Sequence, residues 1–239
     1  MFRHRGKNRT YLHNLRLAAL LSFIAGMVNS IGVLSVKVLT TNVTGHFAYF
    51  AEEMVGKHYF SALVFLLYII CFLLGSFISN LLIELVAKKN VRISHAAPMV
   101  IEILILAGIG IWSDTISNGQ FIACILLFTM GMQNALVTMV SQATVRTTHL
   151  TGLFTDLGIE LSQLFFYKAI EEQHKLKKSI YLRLAIILFF FIGCVSGGYL
   201  YNIIAFKTLL LTAGCLMIAI FYDNLRTRFY VFKRKIRDF

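Results

Sequence analysis

"TTHLTGLFTDLGIE", residues 147–160, interrupts an otherwise strongly apolar chain with four Thr, a His, an Asp, a Glu and two Gly. A near copy, "TTNVTGHFAYFAEE", occupies residues 40–53. Thr40, Thr41, Thr44, Gly45 and Glu53 match Thr147, Thr148, Thr151, Gly152 and Glu160 at one constant offset. The run before each copy holds a second match, "GMVN" from Gly26 to Asn29 and "GMQN" from Gly131 to Asn134. A weaker third echo sets Gly75 in "FLLGSFIS" against Gly193 in "FFIGCVSG". The shared order marks an internal duplication with its boundary near residues 90–118.

The flanking sequence sets the class. Of 239 residues, 58% are hydrophobic and 14% charged, and the mean hydropathy is +0.74. A soluble domain carries about a quarter charged residues. Several apolar runs approach the roughly 20 residues that cross a bilayer. The expected fold class is therefore all-α, a polytopic membrane protein whose main partner is the lipid bilayer. A net charge of +12 invites a nucleic-acid reading. The basic residues sit at the ends of apolar runs, as the positive-inside rule places them, so no nucleic-acid partner is expected. Cys71, Cys124, Cys194 and Cys215 lie within apolar runs without metal-ligand spacing. The basic N-terminus leads into a long first apolar segment with no clear cleavage site, so that segment is expected to stay.

The pattern predicts eight helical segments, near 14–36, 43–56, 60–86, 97–113, 119–140, 149–167, 179–203 and 206–222. The only proline, Pro98, suits a first helical turn. "KAIEEQHKLKKS", 168–179, reads as the most hydrophilic loop. The second segment is too short to span, at about 21 Å for about 14 residues, and it carries Glu52 and Glu53. The sixth carries Asp156, Glu160, Ser162 and Gln163. With those two not crossing and the N-terminus inside, only Lys37, Lys57 and Lys207 of the 23 Lys and Arg fall outside. If all eight cross, Lys37, Lys88, Lys89, Arg92, Arg146 and Lys207 do. The first arrangement obeys the rule better. It gives six transmembrane helices and two short Thr-Gly-initiated helices. Three crossings per repeat invert the second copy, the plan of many secondary transporters. A single integral membrane domain over 1–239 is thus expected, with repeat A at about 14–113, repeat B at about 119–222, and basic cytoplasmic tails at 1–13 and 223–239.

On a helical wheel His149, Gly152, Asp156, Glu160 and Gln163 form one polar stripe, opposite Leu150, Phe154, Leu157, Leu161 and Leu164. Asn42, Gly45, His46, Tyr49 and Glu53 form the matching stripe. The functional reading is a pair of re-entrant half-helices whose N-termini meet tip to tip near the midplane, where free N–H groups favour an anion. The substrate-binding candidates are Thr41, Thr44, Gly45, Arg146, Thr147, Thr148, His149, Thr151 and Gly152, with Asn29 and Asn134 behind them. Asp156, Glu160 and Glu53 are the candidates for proton or cation coupling. The plainer reading lays both helices flat at opposite membrane faces, polar side to water. Asn29 and Asn134 also suit ordinary helix–helix glue, and Gly193, Gly197 and Gly198 suit close packing. Glu84, beside Lys88 and Lys89, reads as interfacial. Glu102, near a helix start, reads as a dipole partner without chemistry. The basic aromatic tail suits either anionic lipid or plain anchoring.

"GMQNALVTMVSQATVRTTHLTGLFTDLGIEL", 131–161, resembles the signature of the YoaK-like family, bacterial inner-membrane proteins of unknown function. "AGMVNSIGVLSVKVLTTNVTGHF", 25–47, resembles that family's N-terminal signature. It departs at His46, where the family usually has Asn, and at Asn29, where it often has Asp. The resemblance implies about six spans in the inner (cytoplasmic) membrane and supplies no substrate.

The expected function is a small-solute or ion transporter or channel with its site between inverted repeats. The alternatives are a non-transporting membrane scaffold or assembly protein and a membrane-embedded metal enzyme. No H-E-x-x-H, nucleophile elbow or phosphate-cradling Gly loop occurs, so no enzyme activity, cofactor or metal is expected. Both termini are expected in the cytoplasm. Solute identity and homo-oligomer formation stay open.

Overall fold

The structure is a computed structural model that describes residues 10–91, 93–113, 118–167 and 169–221. The expected basic tails lie largely outside them. Among the described residues every regular element is helical: α1 (Tyr11–Val36), α2 (Val43–Val55), α3 (Tyr59–Asn90), α4 (Ala96–Trp112), α5 (Gly119–Ser141), α6 (Leu150–Gln163) and α7 (Ile170–Ile204). A 3-10 turn, Ala205–Lys207, then leads to α8 (208–221).

Local chemistry sets the ends. Thr10 opens α1 with a capping box closed by His13. Asn42 accepts from Gly45 N at 3.0 Å to open α2, and Asn118 accepts from Gln120 N and Phe121 N to open α5. Both α1 and α5 stop at a left-handed residue, Lys37 (φ 59°) and Gln142 (φ 52°). The hydrophilic stretch expected as a loop at 168–179 is instead the start of α7, from Ile170. Glu171 and Glu172 complement the helix dipole in its first turn, and Lys175 pairs with Glu171 at 3.0 Å.

Helices α1, α3, α5 and the run Ile170–Phe221 are long and apolar enough to cross a membrane, while α4 has 17 residues. That run of 52 residues is two helices, broken where Ala205 adopts φ 47°. Met27 of α1 lies against Gly197, before the break, and its Sδ accepts from Thr212 Oγ1, after it. α8 therefore doubles back along α7. Many large side chains face outward, among them Leu67, Leu74 and Phe77 of α3 and Leu188, Phe191 and Val195 of α7. Such a continuous apolar exterior fits lipid and not water.

Four close approaches build the bundle, and they form two matched pairs. A Cβ on Gly26 would overlap the Phe190 carbonyl oxygen, and one on Gly131 that of Phe72. A Cβ on Gly193 would overlap the Phe23 carbonyl oxygen, and one on Gly75 that of Phe128. Phe23 and Phe128 are as far apart in sequence as Gly26 and Gly131. Phe72 and Phe190 are as far apart as Gly75 and Gly193. So α1 of the first half packs on α7 of the second, and α5 of the second packs on α3 of the first. The halves interlock. Between them the buried stripe Leu17, Leu21, Ile24, Val28 and Ile31 of α1 joins Leu126, Met130 and Val137 of α5, with Met99 and Leu106 of α4 and Leu209 and Leu216 of α8.

Candidate functional site

The Thr-Gly turns fold back into the bundle. Thr41 Oγ1 donates to Asn29 Oδ1 at 3.0 Å, and Thr148 Oγ1 donates to Asn134 Oδ1 at 2.7 Å. Each Asn lies seven residues before the end of its helix. At about 1.5 Å per residue the chain has returned about 10 Å along that helix. Asn29 and Asn134 thus play one role twice: each fixes the turn of its own half. Thr40 and Thr147, one residue earlier, are both fully buried.

The short helices then run antiparallel to α3 and α7. α2 docks on α3, with His46 beside Phe65 and Tyr68, and Glu53 paired to His58 at 3.0 Å nearer the surface. α6 docks on α7, with Arg183 Nη1 on Asp156 Oδ2 at 2.7 Å and Arg183 Nε on Glu160 Oε2 at 2.9 Å. Ser179 Oγ adds a 2.6 Å bond to Glu160 Oε1. Among the described residues, α2 and α6 make their packing contacts on these long helices and no substantial contact on each other. The expected tip-to-tip meeting is thus replaced by two separate dockings. The polar stripe of α6 turns toward α7, and Phe154, Ile159 and Leu161 face outward.

The two dockings differ in chemistry. Asp156 and Arg183 occupy the places that Tyr49 and Phe65 hold in the first half. Tyr49 and Phe65 stack with ring centroids 5.3 Å apart. His46 corresponds to Leu153, and both are buried. This duplicated contact is apolar in one half and ionic in the other, so at this position only the second half carries charge.

That charge borders a cleft of about 320 Å³ between α6, α7 and the preceding loop. Thr144, Arg146, His149, Asp156, Ser179 and Arg183 supply its polar groups. Arg146 is exposed and ion-pairs with no described residue. The His149 ring lies directly over Gly152, as the Asn42 amide lies over Gly45, so each glycine makes room for the residue that opens its helix. Of the sequence candidates, Arg146, His149, Gly152 and Asp156 therefore meet in one cleft, and Thr148 sits beside it on Asn134. Thr44 and Thr151 face outward on the first turns of α2 and α6. Glu53 is remote from the cleft, on α2.

Sequence reasoning missed Arg183, near the start of its seventh segment, and Ser179, at the boundary of the hydrophilic stretch it read as a loop. The Gly75–Gly193 offset, carried back along α3 and α7, would have set Arg183 against Phe65 and marked it as a new charge. It also misplaced Glu102, which is 1% exposed on the inner face of α4.

His46 carries a pH dependence. Its Nε2 lies 2.8 Å from the Leu39 carbonyl and so holds the proton, while Nδ1 is buried without a partner. Burial pushes the imidazole pKa below its ordinary 6.5, against an upward pull from the Leu39 bond. The undocked state thus takes a proton more readily than the docked one. The contribution of neutral His46 to the docking of α2 is fully present above about pH 6.5 and is lost progressively as pH falls below that value. Hydrogen exchange across residues 43–55, corrected for intrinsic rates, should quicken by up to about tenfold per pH unit in that window. His46→Leu, which copies Leu153, should remove the dependence.

The family model described as "Protein of unknown function (DUF1275)" matches residues 17–222. No curated protein and no solved structure matches the chain.

Proposed function

The chain belongs to the DUF1275 family, and on that footing we propose that it is a membrane transporter of a small anionic solute, built from two inverted repeats. The observation that carries this reading is the twofold recurrence of the contacts. Gly26–Phe190 with Gly131–Phe72, Gly193–Phe23 with Gly75–Phe128, and Thr41–Asn29 with Thr148–Asn134 each occur once per half. Interlocked repeats with half-helices that fold back into the bundle are the usual frame for alternating access.

In this reading α1, α3, α4, α5, α7 and α8 cross and α2 and α6 do not. α4, and α8 over its described residues, are shorter than a full span and would cross where the bundle draws the bilayer thin. Lys37 and Lys57 then share the outer face, and both termini lie inside, as charge placement favours. The solute binds in the α6–α7 cleft. Arg146 and His149 contact it, and Arg183 is oriented by Asp156 and Glu160. A guanidinium without a protein carboxylate, next to a helix N-terminus, suits a carboxylate or phosphate.

The scaffold reading draws on the same ion pairs, which could serve only to dock α6. Flux decides between them. Protein reconstituted in liposomes should move at least one anion from a panel of short-chain carboxylates, phosphate and sulfate. Arg146→Ala should lower that flux at least tenfold with folding intact. Folded wild-type protein that moves none of them would overturn the transporter reading.

A further inference from the structure

We propose that Glu102 is an intramembrane proton-binding site, about one helical turn from the level of Gln133, and that it is the carboxyl through which protons couple to solute movement. The second half of this rests on the transporter reading; the first does not.

Glu102 lies on the stripe of α4 that faces the core, between Met99 and Leu106, both fully buried. It is 1% exposed itself, and its Oε1 has no partner. Gln133 of α5 is equally buried, and neither its Oε1 nor its Nε2 is bonded. Residues 113–118 join α4 to α5, and the two helices pack on each other, so they run antiparallel. Equal steps back from that connection set Glu102 level with Thr129, one turn from Gln133. The Thr129 hydroxyl is committed to Ile125 O at 2.8 Å. Ser22 of α1 is a further buried hydroxyl of the core without a partner.

An ionised carboxylate here would face no counter-charge. The titratable groups on the elements around α4 are Cys124 of α5; Tyr59, Tyr68, Cys71, Glu84, Lys88 and Lys89 of α3, the last three exposed on the turns that lead into α4; Tyr11, His13 and Arg16 of α1; Lys207 of the 3-10 turn; Cys215 of α8; and His95 at the start of α4 itself. None is ion-paired with Glu102. Burying an unpaired charge costs far more than burying a neutral acid, which gains a hydrogen-bond donor by keeping its proton. Gln133 offers an acceptor and a donor, so it suits either form of Glu102 as the bundle changes shape. Asp156 and Glu160 are held by Arg183 and are poorly placed to release charge in this way. An ionisable group at this depth is a functional site by default.

The test uses the full chain in lipid nanodiscs and infrared spectra recorded across pH. At about pH 8, where ordinary carboxylates are ionised, the wild type should keep one protonated-carboxyl C=O band. That band should shift in heavy water and vanish in Glu102→Gln. Glu102→Asp should move it without abolishing it, which covers the case where Glu102→Gln does not fold. Absence of the band in folded wild type, as an ionised or cation-bound carboxylate would give, overturns the proposal whatever the protein transports. In liposomes, Glu102→Gln should lose the response of flux to an imposed pH gradient and keep exchange of solute across equal pH. Gradient-driven flux that survives the substitution overturns the coupling role. A band present with no flux from wild type upholds the proton site and sinks the transporter reading instead.

Discussion

Replacing Gly75 or Gly193 by Ala is expected to destabilise the fold by about 3 kcal/mol each, the upper end of the usual cost of overpacking. A methyl group on Gly75 would fall within the carbonyl oxygen of Phe128, and one on Gly193 within that of Phe23. A flexible side chain could move aside, but a carbonyl in mid-helix cannot without moving its helix. The α3–α5 and α1–α7 pairs would have to separate, and each methyl group would undo contacts along a whole interface. In lipid this packing is the main force that holds helices together. Gly158→Ala is the control, since nothing lies within 4 Å of its Cβ position; it should stabilise α6 by up to about 1 kcal/mol. Unfolding in graded SDS from a mild detergent would measure all three. Matching losses at Gly75 and Gly193 are required, because the two contacts are equivalent. A clear loss at one with none at the other would refute the paired architecture.

The glycine, threonine and asparagine positions were legible in the sequence because both copies keep the same residue for the same geometric need. A backbone that passes a neighbour at carbonyl distance admits only Gly, and a turn that hangs from mid-helix Asn needs a hydroxyl at Thr41 and Thr148. The partners of the short helices were not legible. Spacing along one helix fixes a polar stripe but not the element it meets, so Asp156 and Glu160 read as free coupling acids until Arg183 appears beside them. Arg183 was hidden for a second reason: its counterpart, Phe65, shares no chemistry with it. Glu102 was misread because position near a helix start says nothing of which face is covered. The helix is apolar all round, so periodicity could not separate the face toward lipid from the face toward α5.

Arg183→Ala is expected to release α6 from α7 and to abolish flux, and a further substitution tells these effects apart. The side chains of Arg183 and Glu160 are 24% and 13% exposed, and that of Asp156 is 50% exposed. Removing the cation leaves one mostly buried carboxylate and one half-exposed one without a counter-charge, which costs about 2–3 kcal/mol, below the range for a fully buried pair. That is enough to raise the undocked population of a 14-residue helix by roughly thirtyfold or more. Hydrogen exchange across residues 150–163 would register it. The first half of the chain supplies the remedy, because Tyr49 and Phe65 dock α2 without any charge. Asp156→Tyr with Arg183→Phe and Glu160→Gln copies that pair into the second half and leaves residue 160 able to accept from Ser179. Protection of α6 should return in this triple variant. Flux should not return, since the guanidinium that faces the cleft is gone. If flux returned together with protection, Arg183 would be a dock and nothing more, and the solute would have to bind through Arg146 and His149 alone.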